Sequence, residues 1–327
     1  MLQACTSESC ETTKECSAVI EMMRLLVATD GLPKSESAID RAGLLADELG
    51  AELSLLHVVS PVSSERVLEQ SLQMAIERMK SRVRSPLWRA KTTPDVVVRA
   101  GNPARVIMNA IARDEPDVLI VGSHERRGVV DALQGSIIEK AVSSRRCPVL
   151  VVQQCASANY RSVLLALDVA AGSRAAVRAA ERLVLRDEAR ATAIHACASP
   201  DHAVLQMPGA EGAGAALHAA CSPDTASLAV RELLERESAD PTRYEVIVAE
   251  GNPLPTIMRA IETRQPDLLV VGTRGDGRMR RAVLGSVANQ LLKVAPCDIL
   301  IVPQGMSQAS RAHDADRTAL SSAPMSA

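Results

Sequence analysis

The chain repeats itself, and that constrains its fold more than any other feature. Residues 95–124 read DVVVRAGNPARVIMNAIARDEPDVLIVGSH and residues 245–274 read EVIVAEGNPLPTIMRAIETRQPDLLVVGTR, with 14 of 30 positions identical at a constant offset of 150. The same offset pairs Gly135-Ser136 with Gly285-Ser286 and CPVLVV (147–152) with CDILIV (297–302). Upstream it falls to 138, where RLLVATDG (24–31) faces SVLLALDV (162–169) and LSLLHVV (53–59) faces ATAIHAC (191–197). Copy two therefore carries 12 extra residues between His195 and Gly251, and the Gly/Ala-rich stretch 207–220 is their expected place. One domain folded twice accounts for this pattern. The expected domains are 23–152 and 160–303, with a disordered leader over 1–22 and a disordered tail over 304–327.

Each copy alternates short β-branched runs with helical spacing. In copy one the strands are expected at 24–29, 53–59, 95–99, 117–122 and 147–152, with helices over 35–49, 66–83, 103–113 and 135–144. Nearly uninterrupted apolar strands separated by helices indicate a parallel sheet covered on both faces. The fold class is thus α/β, as two tandem doubly wound domains with five-stranded parallel sheets. Such sheets take ligands at the carboxyl ends of their strands. The GNP turns at 101–103 and 251–253 should start helices, since Pro103 and Pro253 suit the first helical position.

Composition excludes several classes. With one Trp, two Tyr, no Phe and a net charge of -2, the chain lacks both the stacking platforms and the basic footprint of a nucleic-acid binder. No apolar run reaches the roughly 18 residues of a membrane span. The eight cysteines form no CxxC pair, so neither a disulfide scaffold nor a zinc site of that kind is supported. Cys147, Cys197 and Cys297 lie in apolar stretches and are expected to be buried, and the chain reads as cytoplasmic.

The chemistry should lie where the fourth strand of copy two meets its loop. Val270-Val271 runs into Gly272, Thr273, Arg274 and Gly275, and nine residues later Gly285-Ser286 opens a helix. Glycines let backbone N–H groups approach an anion, and a helix start adds unpaired donors and the positive end of its dipole. Asp30 and Asp168 follow the first strand of each copy, where helix capping is the simpler role. His57 and His195 end buried strands, and packing is the simpler role for both. Asp117 and Asp267 read as surface turn residues.

These residues resemble the universal stress protein family in its tandem form, across 23–152 and 160–303. The resemblance rests on Asp30 and Asp168, His57 and His195, the GNP turns, and the family spacing G-x2-G-x9-G-[ST]. That spacing is complete in copy two as Gly272, Gly275, Gly285 and Ser286. The fold it implies is adenine nucleotide alpha hydrolase-like, of the universal stress protein type. It implies ATP, with Mg as an optional companion. Asp168 would then stand near the ribose, Ala196 and Val271 beside the base, and Gly272, Thr273, Arg274, Gly275, Gly285, Ser286 and Val287 around the phosphates.

Copy one offers a doubtful second site at Asp30, Val58, Gly122, Ser123, Gly135 and Ser136, because Glu125 replaces the second glycine. A carboxylate some 5 Å from a phosphate charge costs about 3 kcal/mol at an effective dielectric of 20. The reading is an ATP-binding stress-response or regulatory protein whose contacts with an unidentified protein partner depend on nucleotide. The alternatives are a slow ATPase or autophosphorylating enzyme, with Thr273 or Ser286 as acceptor, and a nucleotide-free tandem interaction module. Relatives dimerise through the last strand, so CPVLVV and CDILIV are expected to pair as a pseudo-dimer within one chain. Asp298, where the family has proline, puts that pairing in question, and a homodimer of two chains is a further option.

Overall fold

The computed structural model describes residues 22–62, 64–123, 130–168, 171–185, 189–197, 222–273 and 284–305. The expected leader, the tail beyond Gly305, the 207–220 insertion and the loops holding Glu125 and Arg274–Gly275 lie outside these residues. In copy one, β1 (Arg24–Thr29), α1 (Pro33–Leu49), β2 (Glu52–Val59), α2 (Glu65–Arg84) and β3 (Asp95–Ala100) come first. They are followed by α3 (Pro103–Asp114), β4 (Val118–Gly122), α4 (Val130–Ser144) and β5 (Val149–Val152). In copy two, β6 (Ser162–Ala166), α5 (Ala171–Leu183) and β7 (Arg190–Cys197) precede α6 (Pro223–Glu237) and β8 (Tyr244–Glu250). Then come α7 (Pro253–Arg264), β9 (Leu268–Gly272), α8 (Ser286–Val294) and β10 (Asp298–Val302).

The five strands of each copy run parallel, and the two sets join in one sheet of order β3-β2-β1-β4-β5-β10-β9-β6-β7-β8. At its centre β5 and β10 pair antiparallel, with Val151 opposite Ile299, Leu150 opposite Leu300 and Val149 opposite Ile301. The five-stranded sheets expected from the sequence are thus halves of one ten-stranded sheet. Strand side chains alternate between its faces. Leu25 and Val27 belong to the core layer that holds α1, α2, α5 and α6, whereas Leu26 and Ala28 belong to the layer that holds α3, α4, α7 and α8.

Local chemistry sets the helix boundaries. Gly101 and Gly251 adopt φ of 146° and 133°, a turn that a β-carbon would strain. Their N–H groups bond to Val59 O and Cys197 O, which fixes each GNP turn against the neighbouring strand. Pro103 and Pro253 then begin α3 and α7, and the Asn102 side chain accepts from Arg105 N at 3.2 Å. One boundary differs from expectation. Helix α4 begins at Val130, five residues before Gly135, so Gly135 and Ser136 lie inside it and do not open it.

Asp298 does not disrupt the central pairing; it anchors it. The side chain is fully buried, and Oδ1 accepts from Gln153 N at 2.7 Å and Gln154 N at 3.0 Å. Tyr160 donates its hydroxyl to Oδ2 at 2.7 Å, and the Arg41 guanidinium lies 3.3 Å from the same oxygen. Arg41 also stacks 3.9 Å above the Tyr160 ring and donates to Ala158 O. A buried carboxylate is tolerated only when it is paired and hydrogen-bonded, and here copy one, the linker and copy two all contribute partners. Burial, followed by the nearby Asp298 charge, pushes the Tyr160 phenol well above its ordinary range and keeps it a donor.

Asp117 and Asp267, expected at surface turns, act as clamps at the starts of β4 and β9, and Asp267 adjoins the Asp298 cluster, its carbonyl accepting from Asp298 N at 3.3 Å. Asp117 accepts from Arg24 N and from the Arg182 side chain, both at 2.8 Å, so it also bridges the copies. Asp267 accepts from Arg161 N at 2.8 Å and Ser162 N at 3.0 Å.

Candidate functional site

At the carboxyl ends of the copy-two strands lies a pocket between β6, β7, β9 and the starts of α5, α7 and α8. Asp168, His195, Ala196, Val271, Gly272, Gly285, Ser286 and Val287 line it, together with Gly172 and Ser173 from α5 and Pro253 and Ile257 from α7. The pocket lies on the side of the sheet where β6 and β10 flank β9, so residues distant in sequence meet there.

The unpaired donors of one wall follow from helix geometry. Gly285 is the N-cap of α8 and offers no side-chain cap bond, and the first turn holds no acidic residue. The N–H groups of the first turn of a helix have no intrahelical acceptors and carry the positive end of the helix dipole. Ser286, Val287 and Ala288 place that turn against the cavity. In copy one the corresponding pair sits at the sixth and seventh positions of α4. There backbone N–H groups are committed to carbonyls four residues earlier.

A second wall depends on glycines. A β-carbon on Gly172 would lie 2.9 Å from Thr273 O, and one on Gly272 would lie 2.9 Å from Gly172 O. The first turn of α5 and the end of β9 therefore touch backbone to backbone, which only glycine permits on both sides. Gly172 was not singled out from the sequence. Its one signal is the offset, which places Lys34 at the equivalent position of copy one.

The strand-end residues are held by short bonds. His195 Nδ1 lies 2.8 Å from Leu167 O, and His57 Nδ1 lies 3.0 Å from Thr29 O. A carbonyl only accepts, so both rings carry their proton on Nδ1. Each histidine thus ties β2 or β7 to the exit of its neighbour, and His195 also lines the pocket. Asp168 N donates to Ser173 Oγ at 2.8 Å, and the Ser173 hydroxyl donates back to Asp168 Oδ1 at 2.7 Å. In copy one the Asp30 carboxylate accepts from Leu32 N at 2.9 Å.

Thr273 does not line the pocket. It is buried, its N–H bonds to Val302 O, and its hydroxyl accepts from Gln304 N at 3.1 Å. That hydroxyl fastens the end of β9 to the residues after β10 and is not presented as an acceptor for a phosphoryl group. Arg274 and Gly275 fall outside the described residues. Of the doubtful copy-one residues, Asp30 and Val58 stand at the ends of β1 and β2, and Gly122 ends β4. Ser123 N bonds to Val152 O at 2.8 Å. Over the copy-one strand ends, Arg78 of α2 donates to Gly31 O, and Met79 packs at the position a Gly31 β-carbon would face.

Among the described residues, no three His, Cys, Asp or Glu side chains cluster as a metal site. No described helix is long and apolar enough to cross a membrane. Cys147, Cys197 and Cys297 are buried, and burial pushes the Cys147 and Cys297 thiols up to about 12.

The sequence profile of the Universal stress protein family matches this chain twice, over residues 22–153 and 159–303. The universal stress protein YxiE of Bacillus subtilis is 30% identical over 145 residues, which cover 40% of this chain and 98% of that protein. A Thermus aquaticus universal stress protein, from the QAH/OAS sulfhydrylase 3' region, is 29% identical over 134 residues, covering 39% and 97% respectively. The crystal structure of a universal stress protein from Archaeoglobus fulgidus superposes with a TM-score of 0.58 at 16% identity, over 86% of this chain and 98% of that one.

Proposed function

This chain belongs to the universal stress protein family, with two of its domains in tandem, and we propose that its second domain binds ATP and that nucleotide occupancy governs contacts with a protein partner. One observation carries the reading. Asp168, the Gly172–Gly272 cradle and the open first turn of α8 all converge on a single pocket. The residues present suit an adenine nucleotide: the Gly172–Gly272 backbone contact draws the first turn of α5 against the end of β9 at the pocket wall, and the start of α8 supplies unpaired donors.

In this reading Ala196 and Val271 flank the adenine, Asp168 stands by the ribose, and Gly272, Gly285, Ser286 and Val287 surround the phosphates. Arg274 and Gly275 would complete the loop. With no aromatic residue lining the pocket, base recognition falls to aliphatic walls and main-chain groups. Binding is favoured over turnover because, among the described residues, the ionisable side chains of the pocket, Asp168 and His195, are both held in bonds to the protein itself.

Equilibrium dialysis of the full chain with labelled ATP tests the proposal. Saturable binding is expected, abolished in Gly275→Glu and retained in Glu125→Ala. Absence of binding by the unaltered chain, or equal binding by Gly275→Glu, would refute it.

A further inference from the structure

The two copies treat their strand-end aspartates differently, and the cause is one residue. Asp30 and Asp168 occupy equivalent positions, each followed five residues later by a buried serine, Ser35 or Ser173. In copy one the residue before the aspartate is Thr29. Its hydroxyl lies 2.8 Å from the Ser35 hydroxyl and also accepts from Gly31 N, and Ser35 donates onward to Leu32 O. Ser35 is therefore spent on Thr29 and on the backbone. In copy two the equivalent of Thr29 is Leu167, which has no hydroxyl. Ser173 turns to Asp168 instead, accepting from its N–H and donating to its Oδ1.

We propose that Ser173 is a positioning residue for nucleotide recognition, and that Leu167 makes it one by withholding the hydroxyl that Thr29 offers Ser35, so that Ser173 bonds to Asp168. The inference rests on the reading of this pocket as an ATP site with Asp168 beside the ribose. Two bonds between one buried serine and one aspartate fix both the backbone and the carboxylate at the pocket wall. A carboxylate held in place recognises a sugar hydroxyl better than one that must be ordered on binding, because the ordering entropy is already lost. The ligand chemistry selected in this way is a nucleotide with free ribose hydroxyls.

The test compares binding of ATP and 2′,3′-dideoxy-ATP to the full chain, using the ratio of their dissociation constants. A merely structural serine would weaken both ligands alike and leave the ratio unchanged. The unaltered chain should prefer ATP by about 10-fold or more, the worth of one well-placed hydrogen bond to a charged group. Ser173→Ala and Leu167→Thr should each bring the ratio to within about 2-fold of unity. Leu167→Thr keeps Ser173 and so separates loss of its bond to Asp168 from loss of the residue. An unchanged ratio in both variants would overturn the proposal while leaving the ATP site standing. Failure of the unaltered chain to bind either ligand would instead remove the site itself, and the proposal with it.

Discussion

Around the copy-two pocket, the two copies carry different residues at equivalent sequence positions. Where copy two has Gly172, Ala196 and Ala288 on its pocket wall, copy one has Lys34, Val58 and Ile138. Where copy two opens α8 at Ser286 against the cavity, copy one has already wound five residues of α4 before Gly135. The strands beneath are nearly interchangeable: Val121 and Val271, like Gly122 and Gly272, sit at the same register of the same sheet. A duplicated fold can thus keep its core, where close packing tolerates little change, while the residues at the loops and helix starts above it diverge.

The largest effect is expected where copy two is converted toward copy one. Gly172→Lys puts a β-carbon 2.9 Å from Thr273 O, so α5 must move away from β9. ATP affinity measured by calorimetry should fall by about 100-fold or more, the loss expected when a preorganised site is opened. Retained affinity would show that the Gly172–Gly272 contact is not part of the site.

Next in size is the Asp298 cluster at the junction, which has no counterpart across the pseudo-two-fold pairing of β5 with β10. Asp298 corresponds to Pro148, and its partner Arg41 corresponds to Ala179. Asp298→Ala leaves Arg41 buried without its counter-charge and should cost about 3–5 kcal/mol in chemical denaturation. Tyr160→Phe removes one bond to that carboxylate and should cost about 1.5–3 kcal/mol. If the larger substitution costs under about 1 kcal/mol, as exposed pairs do, the junction does not join the copies.

The smallest expected effect is a shared silence. Cys147 and Cys297 are equivalent, both buried, and both have thiols pushed up to about 12 by burial. A thiol reacts as thiolate, so at pH 8 far less than a hundredth of either is ionised, about one part in 10⁴. Iodoacetamide should leave both unmodified in the native chain while exposed Cys155 reacts, as peptide mapping would show. Labelling of one member of the pair alone would mean that the two halves of the core differ in stability.

Strands and helices were legible because the repeat fixes them twice and because buried parallel strands leave unbroken apolar runs such as VLIVG and LLVVG. The pairing of β5 with β10 was expected from the family resemblance, whose single-domain members dimerise through the last strand, and not from the residues themselves. Helix α4 was read to start at Gly135, but VDALQ upstream already belongs to it. Gly172 escaped notice because its reason is a contact with Thr273, a hundred residues away, which no local pattern announces. Asp298 looked like a departure from the family. Its partners come from α1 and the linker, and only the folded chain brings them to it.

The claim that nucleotide binding belongs to one copy is tested most directly by native mass spectrometry of the full chain titrated with ATP. The account predicts one nucleotide per chain at saturation, and none in Gly172→Lys. Two nucleotides per chain, or one retained in Gly172→Lys, would contradict it, because copy one would then hold ATP although its helix begins five residues before Gly135.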